Sequence, residues 1–132
     1  MANNIFYGVQ ALQPELKIIA GTFKPNAGSA IDNDNNAGTG FTVARTGTGQ
    51  YTVTLDDGYP GLISAQATAA LNAAAATFMQ ITGAPDVTTA KTIVFTALTT
   101  SSTAAPVATD IAAHANNHVH FVLFLRNTSL TK

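Results

Sequence analysis

Cysteine is absent from the 132-residue chain, as is tryptophan. Without cysteine there is no disulfide framework, no thiolate nucleophile and no cysteine-based zinc site. The absence of cysteine does not indicate whether the compartment is oxidising or reducing, because a chain without thiols folds in both. A chain of this length fits one domain and can bury about two thirds of its unfolded surface, so it folds without covalent cross-links.

Charge is scarce as well. Charged residues make up 10% of the chain, against about 25% in an ordinary soluble domain. Six Lys and Arg residues balance seven Asp and Glu residues, so no basic footprint for nucleic acid is present. Because the cores of protein interfaces are depleted in charge, this composition indicates a surface that faces other protein. An uncharged surface that simply faces water is the alternative.

No segment has the pattern of a targeting or membrane sequence. Residues 1–5 have neither the positive charge nor the apolar run of a secretory signal. The alanine-rich stretch over residues 65–79 is interrupted by polar side chains and is too weakly hydrophobic to span a bilayer. We therefore expect a soluble protein made in a cytoplasm, with no membrane partner.

The acidic residues form no catalytic set. Glu15 is the only glutamate, and Asp56 and Asp57 are adjacent at a strand end, where alternation points them apart. The nucleophile-elbow, zinc-protease and phosphate-loop motifs are missing. The sequence predicts a protein that is not an enzyme and that needs no cofactor.

Three histidines, His114, His118 and His120, lie close together in the sequence. Imidazoles at such spacing can hold zinc or nickel, and a threefold axis could gather copies of His118 and His120 into a ring. No acidic or cysteine partner is spaced nearby. Ordinary polar residues at the entrance to a strand are the preferred interpretation, with no metal bound.

Asp32, Asp34 and Asn36 match the first, third and fifth positions of a calcium-binding loop. The sixth and twelfth positions are Ala37 and Val43, where such a loop needs Gly and Glu. A flexible polar loop is the better interpretation, because Asp and Asn are common in turns.

Apolar and polar residues alternate with a period of two over residues 41–44 and again over residues 51–55. This period is typical of half-buried strands. Between the two runs, Gly47 and Gly49 can supply the positive φ angles that a tight connection needs. The pattern predicts a β-hairpin over residues 41–55.

The alanine-rich region is harder to assign. Alternation over residues 62–71, with Ile63 and the odd-numbered alanines on one face, favours a strand, whereas alanine favours a helix by propensity. We predict a strand over 62–71, a turn over 72–76 and a return strand over 77–82. A helix over about residues 65–79 is the alternative.

The run from His118 to Arg126 is apolar on both faces. This predicts a central strand covered on both sides, by a second sheet or by a partner subunit. We predict interface contacts for His118, His120, Phe124 and Arg126, and for Arg45 at the end of the first hairpin strand. For the two arginines, an interface anchor and a strand-end charge that reaches solvent both stay open.

Further strands are predicted over residues 16–23 and 91–98, and residues 25–40 are predicted to be a mobile loop without an element. The fold class is all-β, an antiparallel β-sandwich or a jelly-roll-like barrel. We predict a less regular N-terminal arm over residues 1–15 and one β-sandwich domain over residues 16–132.

Two segments carry a family resemblance. Residues 40–55, GFTVARTGTGQYTVTL, resemble a recurrent hairpin of phage structural proteins, and residues 117–129, NHVHFVLFLRNTS, resemble the closing strand of the same group. The chain thus resembles small β-sandwich decoration (cement) proteins of bacteriophage capsids. The resemblance implies a virion location on the capsid surface, a homotrimer and the major capsid protein lattice as partner.

On this basis the expected function is to bind the assembled capsid lattice and stabilise it. The alternative is a tail-fibre or head-fibre knob, or a structural module of the tail, that binds the host surface. A knob that recognises glycan would expose aromatic side chains in loops. Tyr59 and then Tyr7 are the best candidates for that role in this chain.

Overall fold

A computed structural model describes residues 16–100 and 103–127, so the predicted arm over residues 1–15 lies outside the described residues. The predicted strands are confirmed, and one short strand, β7, was not predicted. In chain order the strands are β1 (Leu16–Phe23), β2 (Phe41–Gly47), β3 (Gln50–Leu55), β4 (Gly61–Ala70), β5 (Thr77–Ile81), β6 (Thr92–Thr99), β7 (Val107–Ala108) and β8 (His118–Arg126). No helix among the described residues is long and apolar enough to cross a membrane.

The strands form two antiparallel sheets that pack face to face. One sheet has three strands in the order β1-β8-β4, and the other has the order β2-β3-β6-β5 with β7 paired to β6. The sheets do not close into a barrel, so of the two predicted architectures the β-sandwich is confirmed. Strand β8 is central in its sheet, as its hydrophobicity predicted.

Side chains from both sheets meet in one core. Val119, Phe121, Leu123 and Leu125 point inward from β8, and Ile93 and Phe95 point inward from β6. An aromatic cluster fills the centre, where the Phe121 ring centroid lies 4.8 Å from that of Phe41, 6.0 Å from that of Phe95 and 6.4 Å from that of Phe23. Gly21 faces this cluster, and a Cβ there would overlap the Phe41 and Phe121 rings. The inward face of β8 is therefore fixed by the opposite sheet.

The hairpin of β2 and β3 is confirmed, with Phe41 opposite Leu55 and Val43 opposite Val53. A bulge lies between Arg45 and Gly47. Of the two turn glycines, only Gly49 has a positive φ, of 66°. The expectation that Gly47 would also have one is wrong, because the bulge makes the turn with a single left-handed residue.

The alanine-rich region is extended and not helical, which confirms the strand assignment. The prediction that β5 returns along β4 is wrong, because the two strands belong to different sheets. Ala65 and Ala67 pack on the core from one sheet, while Met79 and Ile81 pack on it from the other. Residues 71–76 therefore cross from sheet to sheet and do not form a hairpin turn.

A second bulge displaces Ile63 from its predicted place on the core face. The register of β4 with β8 shifts between Leu62, which pairs with Leu125, and Ser64, which pairs with Phe124. Leu62 packs against the core in place of Ile63. Ile63 is left 57% exposed.

The loop over residues 25–40 contains a 3-10 turn, Asn33–Asn35, so the prediction of a loop without an element is wrong. The Asp32 carboxylate accepts hydrogen bonds from the Asp34 backbone N–H and the Asn35 side chain, so it caps the turn. The Asn33 side chain accepts from the Val43 N–H at 2.8 Å and donates to the Val43 carbonyl at 3.0 Å. The segment that resembles a calcium loop is thus anchored to the edge of β2 by Asn33.

Candidate interaction surface

The outer face of the three-stranded sheet carries four of the five predicted interface residues. Because inward residues alternate with outward ones along a strand, the burial of Val119 and Phe121 on β8 places its even-numbered residues outside. We call this surface the β8 face. Its strand residues are Leu16, Ile18, Ala20, Thr22, Ser64, Gln66, Thr68, Ala70, His118, His120, Val122, Phe124 and Arg126.

Strand register divides the β8 face into an apolar and a polar half. Across the sheet, Phe124 lies between Ile18 and Ser64, and Val122 lies between Ala20 and Gln66. Ile18 is 43% exposed, and Val122 and Phe124 are partly exposed. We call Ile18, Ala20, Val122 and Phe124 the apolar half.

One more exposed apolar residue lies at the edge of the sheet. Exposed Ile63 adjoins Ser64, the β4 partner of Phe124. Single exposed apolar residues are common, but a contiguous apolar patch on a sheet marks an interaction site.

The polar half is formed around His118 and His120. Their rings lie on one face, as predicted, and stack with centroids 6.2 Å apart. The Nδ1 atom of His120 is 2.8 Å from the Thr22 hydroxyl oxygen. His114 lies apart in the loop before β8, where its Nδ1 accepts from the Asn116 N–H. In residues 16–100 and 103–127, no group of three or more His, Asp or Glu side chains could hold a metal ion.

Arg126 lies at the apolar end of the β8 face, paired across the sheet with Leu16 on one side and Gly61 on the other. It is the only charged residue among the strand residues of this face. A partner that covers the apolar half would therefore desolvate little charge. Whether Arg126 anchors such a partner stays a prediction.

The outer face of the other sheet is rich in threonine on two of its strands. Threonine dominates the outward positions of β2 and β3, and the Thr46 and Thr52 hydroxyl oxygens lie 2.9 Å apart. A similar pair joins Thr82 and Thr96 at 2.7 Å, where the Thr96 side chain is buried. Toward β5 the face becomes apolar, because Phe78 lies opposite Leu98 and is 42% exposed.

Arg45 is not on the β8 face. Its guanidinium forms a two-pronged ion pair with Asp110, with Nε to Oδ1 at 2.9 Å and a terminal nitrogen to Oδ2 at 2.7 Å. Asp110 Oδ1 also accepts from the Gly49 N–H at 2.8 Å. The side chain thus has a structural role within the chain, tying the β2–β3 hairpin to the loop after β7. Sequence reasoning missed Asp110, which is 65 residues away.

The hydrogen bond from Arg45 lowers the pKa of the Asp110 carboxyl, and the Gly49 N–H lowers it further. The same hydrogen bond raises the pKa of the Arg45 guanidinium. A carboxyl with a depressed folded-state pKa stabilises the fold above its unfolded pKa. That stability is lost as the pH falls through the folded value.

We therefore predict that acid weakens the fold partly through Asp110. Urea unfolding between about pH 5 and about pH 2 should show that Asp110→Asn is less stable than the unaltered chain at the upper end. The difference should narrow toward the lower end, where both side chains are neutral. Asp34→Asn, in the exposed 3-10 turn, is the control. If the difference in stability between Asp110→Asn and the unaltered chain stays constant with pH, the charge of the Asp110 carboxylate does not stabilise the fold.

Tyr59, proposed above for a glycan-binding knob, is not available in a loop. Only 8% of its surface is exposed, and its side chain packs on the core. Tyr7 lies outside the described residues. A cleft of about 350 Å³ at one end of the sandwich lies between the 71–76 crossover and the loop over 109–117. Its described lining is rich in alanine and contains no Phe, Tyr or Trp ring, although His114 contributes an imidazole.

These features define an all-β sandwich protein in which each sheet carries both polar side chains and exposed apolar ones. Comparison of the chain with protein-family models, with curated proteins and with solved structures finds no match.

Proposed function

We propose that the chain is a capsid decoration protein of a bacteriophage, which binds the assembled capsid lattice and stabilises it. The observation that carries the proposal is the apolar half of the β8 face, in which Ile18 is 43% exposed and Val122 and Phe124 are partly exposed. The resemblance of the hairpin and of the closing strand to decoration proteins supplies the identity of the partner. The homotrimer that the resemblance implies is part of the proposal.

The physics of such binding is simple. Removing apolar surface from water contributes about 25 cal/mol per Å². A partner over Ile18, Val122 and Phe124 gains this term without desolvating an acidic group, since none lies among the strand residues of the face. A protein that binds only the assembled lattice stabilises that state by mass action. Repeated copies related by symmetry multiply weak contacts into high avidity.

The chemistry of the surface favours this function over a glycan-binding knob. The burial of Tyr59 removes the first of the two aromatic side chains proposed for such a knob. A structural module of the tail would use the same apolar half, so it differs from a decoration protein by location only. The experiment must therefore measure both whether the chain binds the capsid and where in the virion it lies.

Val122→Glu tests the proposal at the centre of the apolar half. The substitution forces a partner to desolvate a carboxylate, so we expect binding to fall at least about a hundredfold. Cosedimentation with capsids of the encoding phage, stripped of this chain, measures the binding. Thr42→Glu, on the outer face of the other sheet, is the matched control and should bind normally.

Heating the same particles gives the functional readout. Capsids with the unaltered chain should release their genome at a higher temperature than stripped capsids, and Val122→Glu should not restore this difference. Equal release temperatures with and without the chain would refute the proposal. So would immunogold labelling of the tail instead of the head, which would identify a tail module.

A further inference from the structure

The edge strands on the two long sides of the sandwich differ in how their outward backbone groups are bonded. On one side, the loop over residues 24–40 covers the strand edges. There the Thr22 N–H donates to the Ala37 carbonyl at 2.8 Å, and the Ala37 N–H donates to the Thr22 carbonyl at 3.0 Å. The Asn33 amide makes the equivalent pair with Val43 on β2. Each edge on this side is thus bonded to the loop at one position, Thr22 on β1 and Val43 on β2.

On the other side, the β4 edge is open. In the described part of the chain, β4 pairs with β8 alone. The strand is ten residues long, whereas β5, the edge strand of the other sheet, has five. Residues 61–81, which include β4, the crossover and β5, contain no charged residue and no proline. Charges and prolines are the usual means of blocking an edge strand, so this edge has neither protection.

The pairing register shows which backbone groups face outward. In an antiparallel ladder the N–H and C=O of one residue point to the same neighbour, and successive residues alternate. Because Thr22 bonds to Ala37, its partner His120 directs its own groups toward Thr68 on β4. Thr68 and Gln66 therefore face β8. The backbone groups of the alanines between and beside them, Ala65, Ala67 and Ala69, point to the open edge.

The side chains at this edge allow close approach. A cleft of about 390 Å³ opens between the sheets along β4 and β5, with Ala65, Ala67, Met79 and Ile81 in its lining. The alanine methyl groups are too small to close it. The inward face of β4 is thus partly exposed on the side where its backbone is unpaired.

We propose that this edge binds the β4 strand of a second copy of the chain, antiparallel about a twofold axis, so that two three-stranded sheets join into one of six strands. The edge is self-complementary, because a twofold axis at Ala67 sets Ala65 opposite Ala69 of the second copy and pairs outward-directed backbone groups throughout. The absence of charge over residues 61–81 means that two copies meet without repulsion.

This contact goes beyond the proposed function and rests on no part of it. A twofold contact gives an even number of copies: two, or six where trimers are joined in pairs. A threefold contact alone gives three. Sedimentation equilibrium of the full chain distinguishes these, and we expect an even number.

Two variants test the edge. Ala67→Pro removes an outward N–H without removing a bond to β8, and proline is tolerated at sheet edges. Ala67→Lys sets two ammonium groups opposite each other across the axis. We expect either variant to raise the dissociation constant of the twofold contact about a hundredfold, halving the assembly. Thr42→Lys, on the β2 edge strand, is the matched control.

Circular dichroism verifies that each variant is folded. A monomer or trimer in the unaltered chain would overturn the proposal, as would an even-numbered assembly that neither folded variant divides. If the unaltered chain is monomeric and Ala67→Lys no longer binds capsids, the edge serves the lattice and not a second copy. Failure of Val122→Glu to affect capsid binding, with the twofold contact intact, would count against the proposed function alone.

Discussion

Phe121→Ala is expected to lower the free energy of unfolding by about 3–5 kcal/mol. The Phe121 side chain is 4% exposed, and its ring contacts those of Phe41, Phe95 and Phe23, which come from three other strands. Truncation removes apolar contacts and leaves a cavity at the point where the two sheets meet. Because the surrounding rings belong to rigid strands, they can collapse into this cavity only in part.

Phe124→Ala is the matched control, since it makes the same chemical change three residues along the same strand, on the β8 face. We expect a loss below about 1 kcal/mol, because Phe124 is partly exposed and touches no second sheet. Urea denaturation followed by circular dichroism measures both variants. Similar losses would contradict the assignment of an inward and an outward face to β8.

The strands with clear alternation could be predicted from the sequence because alternation reports burial directly. In β2, β3 and β8, one face packs on the opposite sheet, so side-chain polarity records which face is inward. In β4 the alternation was correct and the helix propensity of alanine was overridden, since Ala65 and Ala67 pack on the core as strand residues.

Long-range features could not be predicted in the same way. The bulge between Leu62 and Ser64 leaves no local signal, although it moves Ile63 from the core to the surface. Alternation cannot tell which sheet a strand joins, so β4 and β5 were wrongly paired. The ion pair between Arg45 and Asp110 depends on the folding of two distant segments.

The candidate surface was predictable in its central strand only. His118, His120, Phe124 and Arg126 share a face because they are separated by even numbers of residues along β8. Their neighbour Ile18 lies more than a hundred residues earlier, and only the strand register shows that it lies beside Phe124. The sequence of β8 alone therefore predicted that the surface exists. Its extent could be determined only from the pairing of β8 with the neighbouring strands.

Gly49→Ala is expected to lower the free energy of unfolding by about 2–5 kcal/mol. The positive φ of 66° at Gly49 makes any side chain strained. In addition, a Cβ would lie 2.8 Å from the Ala97 carbonyl oxygen and 2.8 Å from both the N and O atoms of Thr109. These are backbone atoms, which cannot rotate away as a flexible side chain can. The Gly49 N–H also bonds to Asp110, so displacement of the turn would weaken the ion pair with Arg45.

Gly28→Ala separates the two causes of this loss. Gly28 has a similar φ of 76°, but a Cβ there meets nothing within 4 Å. Its replacement should therefore show the backbone strain alone, about 1–2 kcal/mol. Thermal unfolding of both variants at one pH gives the comparison. If Gly28→Ala is as destabilising as Gly49→Ala, the close contact of the turn with Ala97 and Thr109 contributes nothing. If Gly49→Ala is much worse, the junction of the hairpin with the loop after β7 is held by that contact.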